Sequence, residues 1–130
     1  MIVIDASAML ELLLTTSDGM RLFNRIYAQS ETLHAPELLD LEVAQVLLRL
    51  CRQGEITEQR AETALADLSN LDVSRYTQQP LLSRIWDLRH NLTAYDAAYV
   101  ALAEGLQAPL LTRDARLAAA PNHHAAVEVF

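Results

Sequence analysis

A three-layer α/β/α sandwich with a central, mainly parallel sheet is predicted by three features of this chain. Short apolar runs alternate with longer segments of helical periodicity, the pattern of parallel strands joined by helical crossovers. Carboxylates stand at or just beyond the ends of two of those runs, at Asp5 and Asp114, where a sheet of this kind binds its ligands. Finally, 130 residues with 52% hydrophobic and 21% charged content can bury a real core as one domain, residues 1–130.

The elements follow in order. Ile2 to Asp5 reads as the first strand, and Ser7 to Leu14 as a short helix. Ser17 is expected to cap a second helix through Met20, Leu22, Phe23 and Ile26. Thr32 to Ala35 forms the second strand. Pro36 then suits the opening of a long third helix that runs to about Gln53 and stops at Gly54. Thr57 caps a fourth helix through Ala61, Ala64, Leu65 and Leu68, and Leu71 to Arg75 is strand-like. Pro80 opens a helix carrying Leu81, Leu82, Ile85, Trp86 and Leu88. Thr93 caps the helix of Tyr95-Asp96-Ala97-Ala98-Tyr99, which ends near Gly105. Leu110 to Thr112 is a further strand, Asp114 to Ala119 a short helix, and Ala126 to Val129 the last strand.

Composition removes several function classes. All ten basic residues are arginine, so chemistry that needs a lysine, such as a P-loop or a Schiff base, is excluded. Three separated glycines, Gly19, Gly54 and Gly105, make no phosphate cradle. A net charge of −7 argues against passive nucleic-acid binding but not against an enzyme whose acids hold metal ions, because the ions reverse the local field. Neither a membrane span nor a signal peptide is expected. The single Cys51, among Leu48 and Leu50, is expected to be a buried, inert thiol, which fits the cytoplasm.

Four acids carry the functional argument: Asp5, Glu42, Asp96 and Asp114. Each has a structural explanation available. Asp5 can cap the helix that follows it, and Asp114 can serve the dipole of a short helix. Asp96, three residues after Thr93, is close to a capping-box arrangement, yet it starts an apolar stripe with Tyr99, Val100 and Ala103. Glu42 is the hardest to explain structurally, since Leu38, Leu39, Leu41, Val43, Val46, Leu47 and Leu48 surround it on its helix. Buried charge is costly unless paired or bound to a cation, and a divalent metal would satisfy all four acids at once.

The pieces Ile2-Val3-Ile4-Asp5-Ala6-Ser7, Ala35-Pro36-Glu37-Leu38 leading to Glu42, Leu92 to Ala103 around Tyr95-Asp96-Ala97-Ala98-Tyr99, and Leu110-Leu111-Thr112-Arg113-Asp114 together carry a resemblance. In this order and spacing the chain resembles PIN-domain ribonucleases, and specifically the small VapC-type toxins of bacterial toxin–antitoxin pairs. The resemblance implies a metal-dependent endoribonuclease with Asp5, Glu42, Asp96 and Asp114 as its acidic metal-binding and catalytic pocket. Ser7 and Thr112 would support those acids or touch substrate. Ala115, Arg116 and Leu117 follow Asp114, where the family sometimes has further acids, so the number of metals stays open.

Hard oxygen ligands suit Mg²⁺ or Mn²⁺, which can supply hydroxide from a bound water and polarise the scissile phosphate. In that scheme Asp5 and Asp96 are direct ligands, Asp114 is a direct or water-mediated one, and Glu42 orients the attacking water or completes a second metal site. The resemblance implies 5′-phosphate and 3′-hydroxyl products. His34, His90, His123 and His124 are expected in loops or at element ends, with structural or solvated roles, and no zinc spacing exists. Arg113, Arg116, Arg49 and Arg52 are either phosphate contacts or solvated surface residues.

The third helix and Leu81-Leu82-Ile85-Trp86 hold more apolar surface than one sheet face hides, unless neighbouring helices cover it. The resemblance offers a homodimer and a cognate VapB-type antitoxin as partners. Two other readings stand beside the nuclease. One is a catalytically silent PIN-fold interaction module. The other is a Mg-dependent phosphoacceptor signalling domain, which the missing lysine and the lack of an acidic pair after the first strand oppose.

Overall fold

The computed structural model describes residues 1–130. Its centre is a five-stranded sheet of β1 (Ile2–Ile4), β2 (Leu33–Pro36), β3 (Val73–Tyr76), β4 (Leu110–Thr112) and β5 (Val127–Val129). The strands lie in the order β3-β2-β1-β4-β5, and every neighbouring pair is parallel. Seven α-helices flank the sheet: α1 (Ala6–Leu13), α2 (Ser17–Tyr27), α3 (Leu38–Arg52), α4 (Glu58–Asn70), α5 (Leu82–Asp87), α6 (Ala94–Leu106) and α7 (Ala115–Ala119). This is the α/β/α architecture expected from the alternation of strands and helices. No helix is long and apolar enough to cross a membrane.

The strand order places the functional end of the sheet. From β1 the chain proceeds outward through β2 and β3, then returns to add β4 on the other side of β1. Between β1 and β4 the direction of winding therefore reverses. At such a switch point the connections leave opposite ways and open a crevice at the strands' carboxyl ends. Val3 pairs with Leu110 and Ile4 with Leu111, so Asp5 and Thr112 emerge there side by side.

The core is built from the central strands and the inner helix faces. Ile2, Val3, Ile4, Leu110 and Leu111 are wholly inaccessible, as expected for strands covered on both sides. Helix α6 packs across β1, β2 and β4 and buries every residue from Ala97 to Ala103. Its run of alanines lets the helix approach the sheet closely. Helices α1 and α3 pack on each other, with α4 against both and α2 against α1.

Several boundaries differ from expectation for identifiable reasons. Thr16, not Ser17, caps α2, because the Thr16 hydroxyl accepts from Gly19 N at 3.0 Å. Pro36 ends β2 instead of opening α3, which begins at Leu38; a proline lacks only its own N–H and is tolerated at a strand end. The Pro80 segment is split into a 3₁₀ turn, Gln79–Leu81, and the short α5. Cys51 is half-buried, not enclosed. His34 lies buried within β2, where Thr32 Oγ1 and the Tyr76 hydroxyl flank its ring nitrogens at 2.8 and 2.9 Å.

The surplus of apolar surface on α3 and α5 is not absorbed internally. Leu39, Val43 and Leu47 are buried, whereas Leu41, Leu48, Leu82 and Trp86 remain exposed. Neighbouring helices therefore do not cover these faces within one chain.

Gly19 is the tightest point of the helical layer. A Cβ there would clash with the Glu11 carbonyl oxygen of α1, a backbone atom that cannot swing aside. Gly19→Ala should therefore force α1 and α2 apart and cost about 1–3 kcal/mol, read as a lower urea midpoint. Gly105→Ala, with open space around its Cβ position, should instead leave stability unchanged or raise it by up to about 1 kcal/mol. Equal effects of the two substitutions would contradict the close approach.

Candidate active site

Asp5 is the fixed point of the site. It leaves β1 and caps α1, with Oδ1 accepting from Ala8 N at 2.9 Å and from Ser7 Oγ at 2.7 Å. Its Oδ2 accepts from Thr112 Oγ1 at 2.5 Å. The two hydroxyls are pointed at Asp5 because their own lone pairs are used elsewhere. Ser7 Oγ accepts from Arg113 N and Thr112 Oγ1 from Asp114 N, both at 2.9 Å. Only 6% of Asp5 and none of Thr112 is exposed. Burial pushes the Asp5 carboxyl above its ordinary range, against the three hydrogen bonds that favour the charged form.

The other acids reach the same place from separate elements. Glu42 projects from α3 and accepts from the Tyr99 hydroxyl of α6 at 2.7 Å. Asp96 lies in the first turn of α6, where Thr93 caps the helix through the Asp96 N–H at 3.2 Å. Asp114 caps α7 by accepting from Arg116 N at 2.9 Å. All four acids line one cavity of about 980 Å³, together with Ser7, Leu10, Leu14, Leu41, Val46, Tyr95 and Tyr99. The lining contains neither histidine nor cysteine.

Electrostatics divides the four acids. Burial raises Glu42 and Asp96 above their ordinary carboxylate values, and the remaining negative charge adds to it: Asp96 and Asp5 act on Glu42, and Asp114 acts on Asp96. Tyr99 is also raised, by burial first and then by the Glu42 carboxylate that it serves. Asp114 moves the other way. The Arg116 guanidinium grips both its oxygens, with Nη2 2.5 Å from Oδ2 and Nε 3.0 Å from Oδ1, and holds it below the usual range. As the side chains stand, no three acids converge within ligating reach of one point.

The structure thus brings five of the six residues singled out in the sequence to one cavity, places Thr112 buried behind Asp5, and makes Ser7 and Thr112 hydrogen-bond donors to Asp5. Asp96 is half-buried at the cavity, and the apolar stripe begins at Ala97. Two roles were not read from the sequence, that of the Tyr99 hydroxyl and that of Arg116. The Tyr99 hydroxyl was hidden inside an apolar stripe, where only the choice of tyrosine over phenylalanine signals a polar partner. Arg116 stands as counter-ion to Asp114, although it is largely exposed. Arg113 pairs with Asp18 of α2, and Arg49 lines the cavity.

An acid cluster at the switch point of an all-parallel sheet places this chain among α/β proteins whose ligand site lies at the carboxyl ends of the strands. Sequence and structure comparisons name the family. The PIN domain profile matches residues 2–122, and the chain belongs to the PIN-domain family. Ribonuclease VapC12 of Mycobacterium tuberculosis is 40% identical over 129 residues, covering 99% of this chain and 98% of that protein. Ribonuclease VapC1 of the same organism is 44% identical over 121 residues, covering 92% and 90%. In fold, the chain is similar to the crystal structure of VapBC2 from Rickettsia felis bound to a DNA fragment from their promoter, with a TM-score of 0.70. That match has 12% identity and covers 99% and 98% of the two chains.

The raised acids have a consequence for stability in the absence of metal. A carboxylate whose folded pKa lies above its unfolded value supports the fold below that unfolded value and withdraws support as pH rises through the folded one. Wild type should therefore match Glu42→Gln in melting temperature below the ordinary glutamate value of 4.5 and fall progressively beneath it as pH rises above that value. A wild type that gains on the variant as pH rises would contradict the raised state of Glu42.

Proposed function

We propose that this chain is a metal-dependent endoribonuclease that hydrolyses RNA phosphodiester bonds, acting as the toxin of a VapBC-type toxin–antitoxin pair. The observation that carries this is the convergence of Asp5, Glu42, Asp96 and Asp114 on one cavity at the β1/β4 switch point. The ribonuclease names of relatives that align along nearly the whole chain support the same reaction.

Asp5, Asp96, Asp114 and Glu42 are the residues that would hold Mg²⁺ or Mn²⁺. The fit rests on the donor set: oxygen ligands only, three of them raised by burial and by neighbouring acids of the same cavity, a state that a nearby cation relieves. When bound, such an ion supplies positive charge to the scissile phosphate and lowers the pKa of a coordinated water. The chain's own residues do the positioning. Ser7 and Thr112 hold the Asp5 carboxylate in one orientation, and Tyr99 holds Glu42. Asp114 becomes free to act when Arg116 releases it, and a released Arg116 is a forked donor suited to a phosphate oxygen. Glu42 is then the base that orients the attacking water.

Partners follow from the uncovered apolar surface. Leu48, Leu82 and Trp86, exposed on α3 and α5, support a homodimer and a VapB-type antitoxin as the occupants of these faces. The same surface favours one competing reading, a catalytically silent PIN-fold interaction module, and activity separates the two.

The deciding experiment is cleavage of end-labelled total RNA by the purified chain freed of any partner, with Mg²⁺, with Mn²⁺ and with chelator. Cutting should need the metal and fall by about a hundredfold or more in folded Asp96→Asn. Equal cutting by both proteins would sink the nuclease reading and favour the interaction module.

A further inference from the structure

Two side chains at the acid cavity are exposed without any packing role that explains them. Tyr95 is 64% exposed and Leu41 77% exposed, and both line the cavity. Each directly precedes an acid of the site: Tyr95 before Asp96 in the first turn of α6, and Leu41 before Glu42 in α3. Other exposed rings have partners within the chain, since Phe23 stacks on Tyr27 and Arg89 lies over Trp86. The Tyr95 ring has neither an aromatic nor a cationic neighbour of this kind.

The charges around the cavity make such a surface useful. Of the two arginines that line it, Arg113 is ion-paired with Asp18, and only Arg49 is without an acid partner. On a chain of net charge −7, phosphate neutralisation can supply little binding free energy. Beyond the charge that a bound metal would supply at the scissile phosphate, affinity for a nucleic acid must then come largely from the bases. An aromatic face offers that through stacking, which tolerates any base but requires the base to be unpaired and its face accessible.

We propose that Tyr95 is the stacking platform for one unpaired base beside the scissile phosphate, with Leu41 as an apolar contact for the same nucleotide. This rests on the endoribonuclease reading and makes the substrate single-stranded or looped RNA. The position of Tyr95 next to Asp96 couples base placement to the acids without a separate binding domain. Binding by this device has a weak salt dependence, equivalent to about one or two neutralised phosphates.

The test uses the full chain carrying Asp96→Asn, so that RNA is bound and not cut. A short single-stranded RNA containing 2-aminopurine is titrated in Mg²⁺, with anisotropy for affinity and fluorescence quenching for stacking. Adding Tyr95→Ala should weaken binding about tenfold or more and abolish the quenching, while Tyr95→Phe should preserve both. Circular dichroism checks that each variant is folded. A base-paired RNA of the same length should bind more weakly than the single strand. Unchanged affinity and quenching in Tyr95→Ala would overturn the platform and leave the nuclease reading standing, with Tyr95 then belonging to a protein contact. Loss in Tyr95→Phe as well would also overturn it, since the hydroxyl rather than the ring face would be responsible. No RNA binding by the parent chain would overturn the platform, while metal-dependent cleavage by the wild type decides the endoribonuclease reading separately.

Discussion

The buried carboxylate of Asp5 is the constraint on which the rest of the site depends. An ionised group excluded from water costs several kcal/mol unless its lone pairs are satisfied, and three donors meet this one. Those donors come from α1 and from the end of β4, so satisfying Asp5 ties together the two strands that border the switch point. The bonds continue outward. Because Ser7 and Thr112 give their protons to Asp5, their lone pairs are left for Arg113 N and Asp114 N. The chain after β4 is thereby held so that Asp114 faces the same cavity. One acid positions another through two hydroxyls and no direct contact.

This arrangement stores unfavourable electrostatics at the site. Asp5, Glu42 and Asp96 are each held above their usual range by burial first, and neighbouring acids add to it: Asp96 acts on Asp5 and Glu42, Asp5 also on Glu42, and Asp114 on Asp96. Asp5 also caps α1 and Glu42 accepts from Tyr99, but folding alone does not require four acids to share one cavity. Asp114 is the exception, because Arg116 already compensates it. That exposed pair is weak and screened by salt, so it can be exchanged for a better cation at low cost. In the proposed function, the acid cluster and its exposed counter-ion are the groups a metal would engage.

Much of this was legible in the sequence. The apolar runs around Val3 and Leu111 announced covered strands, and Asp5, Glu42, Asp96 and Asp114 stood out against apolar surroundings. Local rules worked where the physics is local, as for the caps at Thr57 and Thr93. They failed by small margins at Thr16 and Pro36, where two adjacent residues could each do the same job and tertiary fit decided. The Tyr99–Glu42 bond joins residues 57 apart and the Thr112–Asp5 bond residues 107 apart, separations at which no periodicity points from one partner to the other. The grip of Arg116 on Asp114 is short in sequence, yet an arginine in a small helix is ordinarily solvated, and its geometry depends on the turn that Asp114 caps.

The proposed metal site requires this cluster to be destabilising until a divalent cation neutralises it, and thermal unfolding in the presence of metal tests this directly. Calorimetry of the partner-free chain across a Mg²⁺ or Mn²⁺ titration should show a melting temperature that climbs with metal concentration, as ligand binding to the folded state requires. Asp96→Asn should begin higher than wild type in chelator and climb little. A wild type indifferent to both metals, or an Asp96→Asn protein that climbs as steeply, would contradict the account.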